Sequence, residues 1–207
     1  MGSKNYRFEL VSCRCDVSEA SGMDCLSQSF FVRDAVTVAK DLLGKTLTVR
    51  GISGKIVETE AYCRDDPASH SFGGLTRRNA AMFGLAGSAY VYRSYGIHLC
   101  LNVVCVAGDA VLLRALEPTH GQDVMALRRG TQHLTALCSG PGKIGQALDV
   151  GLQDNGRPFQ DNDYCILQGQ NIAANEIQSG PRVGISRATE LNWRFGLFSS
   201  AHLSRKF

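Results

Sequence analysis

A series of strand-like runs between residues 89 and 117 restricts the possible folds of this chain more than any other segment. The runs are Ala89–Ser94, Ile97–Val106 and Ala110–Glu117, and they are separated by short turns at Tyr95-Gly96 and Gly108-Asp109. Connections this short join antiparallel neighbours, because a parallel crossover needs about a dozen residues or more. The sequence therefore predicts an antiparallel meander of three strands here.

Weaker patterns predict the elements on either side of the meander. From Asp34 onward apolar residues recur at helical spacing as far as Leu43, and Gly44 suits the position after a helix end. We further expect a hairpin of Thr46–Arg50 and Lys55–Tyr62 joined through residues 51–54, followed by a long loop over residues 63–87 with a helical turn near Asn79–Phe83. The second half of the chain is predicted to form helices at residues 121–129 and 143–149 and short strands at Tyr164–Gln168 and Arg182–Ser186. Strand runs flanked by helices, without strict alternation of strand and helix, indicate an α+β fold.

Length and composition are those of an ordinary globular protein. The chain has 207 residues, of which 44% are apolar and 20% charged, which fits one domain and excludes a disordered or coiled-coil chain. Residues 1–26 are polar and aperiodic, so we interpret them as an N-terminal arm or extension and residues 27–207 as the domain. Long apolar runs and the apolar segment of a secretion signal are missing, so we expect no membrane partner and a cytoplasmic protein.

Eight cysteines are read as reduced thiols in a reducing compartment. Cys13 and Cys15, with Cys25, offer a weak alternative reading as zinc ligands, but no fourth ligand follows at a usual spacing. We therefore predict no metal site.

Positive charge is concentrated in the middle of the chain. Residues 75–130 hold six arginines against three acidic residues, and Tyr90, Tyr92 and Tyr95 lie close to several of those arginines in sequence. Arginine beside aromatic residues suits phosphate contact and base stacking. The alternative is a solvated basic face next to core aromatics, and composition alone does not separate the two.

A strand with two carboxylates is the clearest candidate for chemistry. Side chains alternate along a strand, so Glu58, Glu60 and Tyr62 are predicted to share one face. Two carboxylates on one face repel each other unless water or a cation intervenes. The strand is either an exposed polar edge or the edge of a cleft in which a carboxylate acts as a general base.

Two polar residues interrupt otherwise apolar strands. In the second strand of the meander Ile97, Leu99, Leu101 and Val103 are predicted to face the core, while Asn102 lies among the residues of the opposite face. A buried amide needs a hydrogen-bond partner from the sheet or from a ligand. Arg114, within an apolar run, likewise needs a carboxylate or phosphate, and Glu60 is a plausible partner.

Nine short stretches form an ordered set across the chain. They are AKDLLGKTL (39–47), IVETEAY (56–62), His70-Ser71, TRRN (76–79) with Met82-Phe83, YVY (90–92) with Tyr95-Gly96, Leu101-Asn102, LLRALEP (112–118), LCSGPGK (137–143) and RVG (182–184). In this order, and over about residues 27–190, the chain resembles the alkyladenine (3-methyladenine) DNA glycosylase family.

The resemblance implies a single α+β domain with a curved, mostly antiparallel β-sheet and flanking helices. It implies a monofunctional DNA repair glycosylase without a metal or other cofactor, a monomer that acts on double-stranded DNA containing alkylated or deaminated purines. Such an enzyme flips the damaged base out of the duplex, because the N-glycosidic bond is inaccessible in the stack, and hydrolyses that bond to leave an abasic site.

The resemblance also assigns catalytic roles. Glu60 resembles the general base that activates the attacking water, and Arg114 and the backbone carbonyl of Val183 resemble its helpers in placing that water. The loss of a purine builds positive charge on the sugar, which a carboxylate can stabilise.

Further residues resemble the base pocket and the DNA contacts of the family. Tyr62, His70 and Tyr92 resemble the walls of the pocket, and Asn102 resembles the residue that crowds the exocyclic amine of guanine. The DNA-binding residues implied are Tyr95, wedged into the minor groove in place of the flipped nucleotide, Met82 beside it, and the phosphate-binding Arg77 and Arg78.

Two spacings depart from the vertebrate members of the family. The intervals from Tyr62 to His70 and from Asn102 to Arg114 each look one residue shorter. The sequence therefore leaves open a non-catalytic nucleic-acid-binding module that retains the fold, and more weakly a carboxylate-dependent hydrolase of small nucleosides.

Overall fold

The computed structural model describes residues 24–161 and 163–207. Its helices are α1 (Gln28–Phe31), α2 (Ala35–Asp41), α3 (Gln122–Arg129), α4 (Leu134–Leu137) and α5 (Pro141–Ala147). Its strands are β1 (Thr46–Val49), β2 (Ile52–Tyr62), β3 (Ala89–Ser94), β4 (His98–Val104), β5 (Ala110–His120), β6 (Gln160–Asp161), β7 (Tyr164–Leu167), β8 (Ile177–Gly180) and β9 (Arg194–Leu197). Short 3-10 turns lie at Ala80–Phe83, Leu152–Asp154 and Ala174–Glu176.

One antiparallel sheet organises the domain, with the order β3-β4-β5-β2-β1-β7-β6. Strand β2 lies at its centre and is eleven residues long. Along one edge β2 pairs with β5, while along the other it pairs first with β1 and then with β9, which itself pairs with β8. The predicted α+β fold, with a curled antiparallel sheet and flanking helices, is confirmed.

Three register shifts interrupt the pairing of β2 with β5, and two of them form complementary β-bulges. Ile56 faces Leu116 and Glu58 faces Ala115, so Val57 is an extra residue on β2. Thr59 then faces Leu113, which makes Arg114 an extra residue on β5. Bulges bend a strand and change the direction of a side chain, and they are frequent next to active sites. In this sheet one bulge lies next to Glu58 and the other lies at Arg114.

Helix α2 covers the middle of the sheet. Asp34 caps its first turn by accepting a hydrogen bond from the Thr37 N–H (2.8 Å), which satisfies a donor that the helix leaves unpaired. Its buried face packs on β2, where the Thr59 hydroxyl donates to the Ala39 carbonyl (2.8 Å). The helix expected between Asp34 and Gly44 is confirmed, and Gly44 has a left-handed φ of 81°.

The three-strand meander is also confirmed, but some predicted bounds and positions are wrong. Strand β2 begins at Ile52 instead of Lys55, because Arg50 and Gly51 both take positive φ angles and close a two-residue turn. Ile97 is 71% exposed and is not a core residue. It closes the turn after Tyr95-Gly96, and its N–H donates to the Ser94 carbonyl (3.1 Å).

Residues 182–186 form a loop instead of the predicted strand. Gly184 has a φ of 80°, which interrupts an extended backbone, and the Arg182 side chain is held in the interior by Asp66. The strands actually formed near this segment are β8 and β9.

The cysteines differ from the expectation of reduced thiols. Cys25 and Cys165 form a disulfide that joins the segment before α1 to β7, whereas Cys63, Cys100, Cys105 and Cys138 are free. The two partners are 140 residues apart in sequence, so their spacing gave no indication of the pair. Cys13 and Cys15 lie outside the described residues. Within the described parts of the chain, no helix is long and apolar enough to cross a membrane.

Helix α5 lies so close to β4 that one of its positions admits no side chain. A Cβ atom at Gly145 would lie 2.2 Å from the Leu99 carbonyl oxygen, which belongs to the backbone of the strand. We expect Gly145→Ala to destabilise the fold by about 1–3 kcal/mol through overpacking, although the same change in an open helix stabilises by about 1 kcal/mol. Thermal unfolding followed by circular dichroism measures the effect.

Gly73→Ala is the matched control, because nothing lies within 4 Å of a Cβ at that position. A melting temperature of Gly145→Ala equal to or above that of the wild type would contradict the close packing of α5 on β4.

Candidate active site

Glu60 is fully buried in the second half of β2, yet both of its carboxylate oxygens are hydrogen-bonded. Oε1 accepts from the backbone N–H of Val183 (2.8 Å), and Oε2 accepts from the Tyr62 hydroxyl (2.9 Å). The Arg114 Nη1 atom lies 3.4 Å from Oε1. The carboxylate is therefore held by three groups from β2, β5 and the loop after β8.

Burial raises the pKa of Glu60, and the Arg114 charge and the Val183 N–H oppose that rise. A carboxylate whose pKa moves towards the working pH is a better proton acceptor than an ordinary surface carboxylate. The arrangement therefore suits a general base.

Glu58, Glu60 and Tyr62 share one face of β2, as the alternation of side chains along a strand predicted. Arg114 connects the two carboxylates, since its Nε lies 3.2 Å from Glu58 Oε1 and its Nη1 reaches Glu60. The strand face is buried, which excludes the exposed polar edge considered from the sequence. The Arg114 side chain is the cation that separates two buried like charges.

A cavity of about 630 Å³ lies beside the groups that hold Glu60, although Glu60 itself does not line it. Tyr62, Arg114 and Val183 line it, and each of these residues also contacts a Glu60 oxygen. Cavities of roughly 300–1,000 Å³ are typical of small-molecule sites. The space is thus large enough for a single nucleobase with its sugar, and its wall leads to the buried carboxylate.

Aromatic rings form the opposite wall of the cavity. Tyr90 and Tyr92 stack with their centroids 5.5 Å apart, and the His70 ring meets Tyr92 edge-on at 4.5 Å. His70 Nδ1 shares a hydrogen bond with the Tyr90 hydroxyl (2.9 Å). Partial burial, together with the Arg78 charge, lowers the pKa of His70, which favours the neutral ring. Burial raises the pKa of Tyr90 to about 12, so its hydroxyl stays protonated.

His70 is positioned by one amide in the long loop. Asn79 is buried, and its Nδ2 donates to the carbonyls of His70 (2.8 Å) and Gly74 (2.9 Å). Its Oδ1 accepts from both the N–H and the hydroxyl of Thr76 (2.7 and 2.9 Å). These four bonds fix the course of the loop between residues 70 and 79.

The sheet satisfies the mid-strand amide of Asn102. The side chain is buried on the cavity wall, and its Nδ2 donates to the Tyr90 carbonyl on the neighbouring strand (2.9 Å). This bond fixes the orientation of the amide towards the cavity. Arg114, the other polar residue in question, is satisfied by Glu58, Glu60 and the Ser204 hydroxyl.

Of the residues predicted to contact DNA, Tyr95, Arg78 and Met82 line the cavity, while Arg77 is not part of its lining. Tyr95 is 84% exposed at a turn tip with a φ of 48°, and Arg77 and Arg78 are exposed on the long loop. Met82 is only 2% exposed and packs among Tyr90, Val104 and Ala110 instead of projecting beside Tyr95.

Sequence reasoning overlooked Arg182 as a structural support of the site. Its guanidinium donates to both Asp66 oxygens and to the Ala61 carbonyl (2.9 Å), and it lies 4.7 Å from the centre of the Tyr62 ring. It thereby holds both Tyr62 and the adjacent Val183 N–H against Glu60. The only indication of this role in the sequence was the position of Arg182 next to Val183 in the RVG stretch.

Within the described residues, no cluster of histidine, cysteine and acidic side chains has the composition of a metal site. The groups that contact the Glu60 carboxylate are the Tyr62 hydroxyl, the Arg114 guanidinium and the Val183 N–H. This set binds anions and polar organic groups better than it binds metal ions.

Comparison with known proteins identifies the family. The profile of the family described as "Methylpurine-DNA glycosylase (MPG)" matches residues 29–201. Proteins named "Putative 3-methyladenine DNA glycosylase" in Agrobacterium fabrum and in Rhodopseudomonas palustris are each 55% identical, over 87% and 88% of this chain and 92% of each relative. One from Rhizobium etli with the same name is 53% identical over 87% of this chain and 89% of its own length. The chain therefore belongs to the methylpurine-DNA glycosylase family and is a DNA repair glycosylase.

Proposed function

We propose that this enzyme flips alkylated or deaminated purines, of the 3-methyladenine and hypoxanthine class, out of double-stranded DNA and hydrolyses their N-glycosidic bonds. The observation that carries the proposal is the hydrogen-bonded, buried carboxylate of Glu60 immediately behind an aromatic cavity. The cavity has room for one base, and the carboxylate beside it is buried away from bulk solvent, which suits hydrolysis of a bond that is hidden in the stacked duplex.

In the proposed mechanism Glu60 takes a proton from a water that attacks the anomeric carbon. That water enters from the cavity, between the Tyr62 hydroxyl, the Arg114 guanidinium and the backbone of Val183, which all face both the space and the carboxylate. We propose that Arg114 and Val183 place this water, as the family resemblance implies. The observed bond uses the Val183 N–H, and it leaves the carbonyl of that residue available for the water.

Positive charge develops on the sugar as the purine departs, and the Glu60 carboxylate stabilises it at short range. Arg114 limits this stabilisation, because its cation lies near the same oxygen. In compensation, the Arg114 charge opposes the rise in the pKa of Glu60 that burial causes. Glu60 therefore remains able to accept a proton.

The aromatic wall supports selection of alkylated bases. Alkylation at a ring nitrogen gives a purine positive charge, and cationic rings bind favourably to the faces of Tyr62, Tyr92 and His70 in its neutral form. Asn102, fixed by its bond to Tyr90, is placed to crowd the exocyclic amine of guanine.

Tyr95 and the arginines of the rim support binding to the duplex. An exposed aromatic at a rigid turn can occupy the gap that a flipped nucleotide leaves, and arginines on the same rim can contact phosphates. Met82 packs against Tyr90 and lines the cavity, so it helps to shape the aromatic wall.

We further propose that the enzyme acts as a monomer, without a cofactor. The bacterial relatives and a DNA substrate favour action in the cytoplasm at the nucleoid.

Glu60→Gln is the decisive substitution. We expect it to lower base release by about 10²–10⁴-fold, because an amide cannot accept the proton of water, while binding to the lesion duplex is retained. Labelled duplexes containing 3-methyladenine, hypoxanthine or ethenoadenine are incubated with enzyme and then treated with alkali to reveal abasic sites. Gel shift measures binding.

Glu117→Gln is the control, because Glu117 forms only a surface pair with Lys55. The proposal fails if the wild type gives no strand breaks on any of the three lesions. It also fails if Glu60→Gln releases bases as fast as the wild type.

Tyr95→Ala tests the wedge. We expect lesion-duplex affinity and cleavage to fall by about tenfold or more, and cleavage of single-stranded lesions to fall less, because an unpaired strand needs no gap to be held open. Leu127→Ala, at an exposed apolar position on α3, is the control. Equal losses on single and double strands would contradict the wedge role.

Asn102→Ser tests selection against guanine. The shorter side chain removes the crowding amide, so we expect release of guanine lesions to rise relative to hypoxanthine, as measured by mass spectrometry of the freed bases. Asn192→Ser, on the exposed loop before β9, is the control. An unchanged lesion preference would exclude a selective role for Asn102.

A further inference from the structure

A buried charge cluster extends from Glu60 to a segment near the end of the sequence. Glu58 lies at its centre, fully buried, and accepts hydrogen bonds from Arg194 Nε (2.6 Å) and from the Ser204 N–H (2.5 Å). The Ser204 hydroxyl donates to Glu58 Oε1 (2.9 Å) and accepts from Arg114 Nε (2.9 Å). Ser204 lies beyond residues 29–201, which the family profile matches.

The geometry at Arg114 gives Ser204 a specific task. The guanidinium is planar, so the direction of Nε sets the direction of the other nitrogens. The Ser204 hydroxyl engages Nε, while Nη1 of the same group points to Glu60 Oε1 at 3.4 Å. Arg114 is moreover an extra residue at a β-bulge, where regular pairing does not determine the direction of its side chain.

The segment that carries Ser204 is itself anchored. Arg194 donates to the carbonyls of Arg205 and Lys206, and its guanidinium stacks on the Phe207 ring at 4.0 Å. A Cβ at Gly196 would lie 2.7 Å from that ring, so the strand surface is shaped to receive it. Packing of this segment on β9, together with the hydrogen bonds of Ser204 itself, therefore places Ser204 in the charge cluster.

We propose that Ser204 is a positioning residue for catalysis, which holds Arg114 in the orientation that supports Glu60 and the attacking water. This inference rests on the proposed function of Glu60 as the general base. Ser204 touches no reacting atom, so its removal affects the chemical step through Arg114 and leaves DNA binding by the rim unchanged.

A change in pH dependence follows from the groups that face Glu60. They are Glu58 and Tyr62 on β2, Arg114 on β5, Tyr92 on β3, Cys100 on β4 and Arg182 on the loop after β8. Among these, Arg114 is the largest influence that lowers the pKa of Glu60 against burial. If Arg114 turns away, the pKa of Glu60 rises, the base is protonated up to a higher pH, and the acidic limb of the rate profile moves to higher pH.

The experiment compares Ser204→Ala, Ser204→Thr and the control Ser199→Ala, which changes an exposed serine of the same segment. Single-turnover base release from a hypoxanthine duplex is measured across pH with saturating full-length enzyme. Affinity is measured with a duplex containing a tetrahydrofuran abasic-site analogue, and stability by thermal unfolding.

We expect Ser204→Ala to lower the single-turnover rate by about tenfold or more, in line with the cost of misplacing a group near the reacting atoms. The acidic limb should move to higher pH, while affinity for the abasic-site duplex stays within about twofold of the wild type. Ser204→Thr, which keeps the hydroxyl, should restore both the rate and the profile.

The outcomes separate the two proposals. If the wild type is active and requires Glu60, but Ser204→Ala matches Ser199→Ala, the positioning role is overturned and the function of Glu60 stands. A loss of rate, affinity and melting temperature together, without a shift of the pH profile or rescue by threonine, also overturns it. An inactive wild type, or an active Glu60→Gln, overturns both.

Discussion

The pairing of β2 with β5 is the constraint on which the site depends. Glu58, Glu60 and Arg114 meet beside its two complementary bulges in one buried group, in which Arg114 lies near both carboxylates and Arg194 also pairs with Glu58. The cost of burying these charges is offset by a full set of hydrogen bonds from β9, the Val183 loop and Ser204.

Much of the architecture could be predicted from local patterns. The turn pairs at 95–96 and 108–109 defined the meander, Asp34 and Gly44 bounded α2, and alternation placed Glu58, Glu60 and Tyr62 on one face. Each of these features is determined by residues that are close together in the sequence. Bounds failed where a positive φ fell on a residue other than glycine, as at Arg50, because no residue type demands that conformation there.

Other parts of the site depend on contacts between distant segments, which a single sequence does not reveal. The Arg182–Asp66 pair joins residues 116 positions apart, and Ser204 reaches Glu58 across 146. Neither contact follows a rule of sequence spacing, because the order of strands in the sheet brings the partners together. The direction of the Arg114 side chain could not be predicted either, because the bulge at that position leaves no signal in the pattern of apolar residues. The family resemblance identified residues in the site, but not the supports behind them.

The four hydrogen bonds of Asn79 have a consequence for how damage is located. They fix the loop that presents His70 before any DNA arrives, so the conformational entropy of ordering that loop is lost during folding. A protein that must inspect a vast excess of intact nucleotides cannot reorganise a recognition loop at every encounter without slowing its search. A preassembled loop lets each encounter be brief, and under the proposed function the damaged base is then the part that has to move.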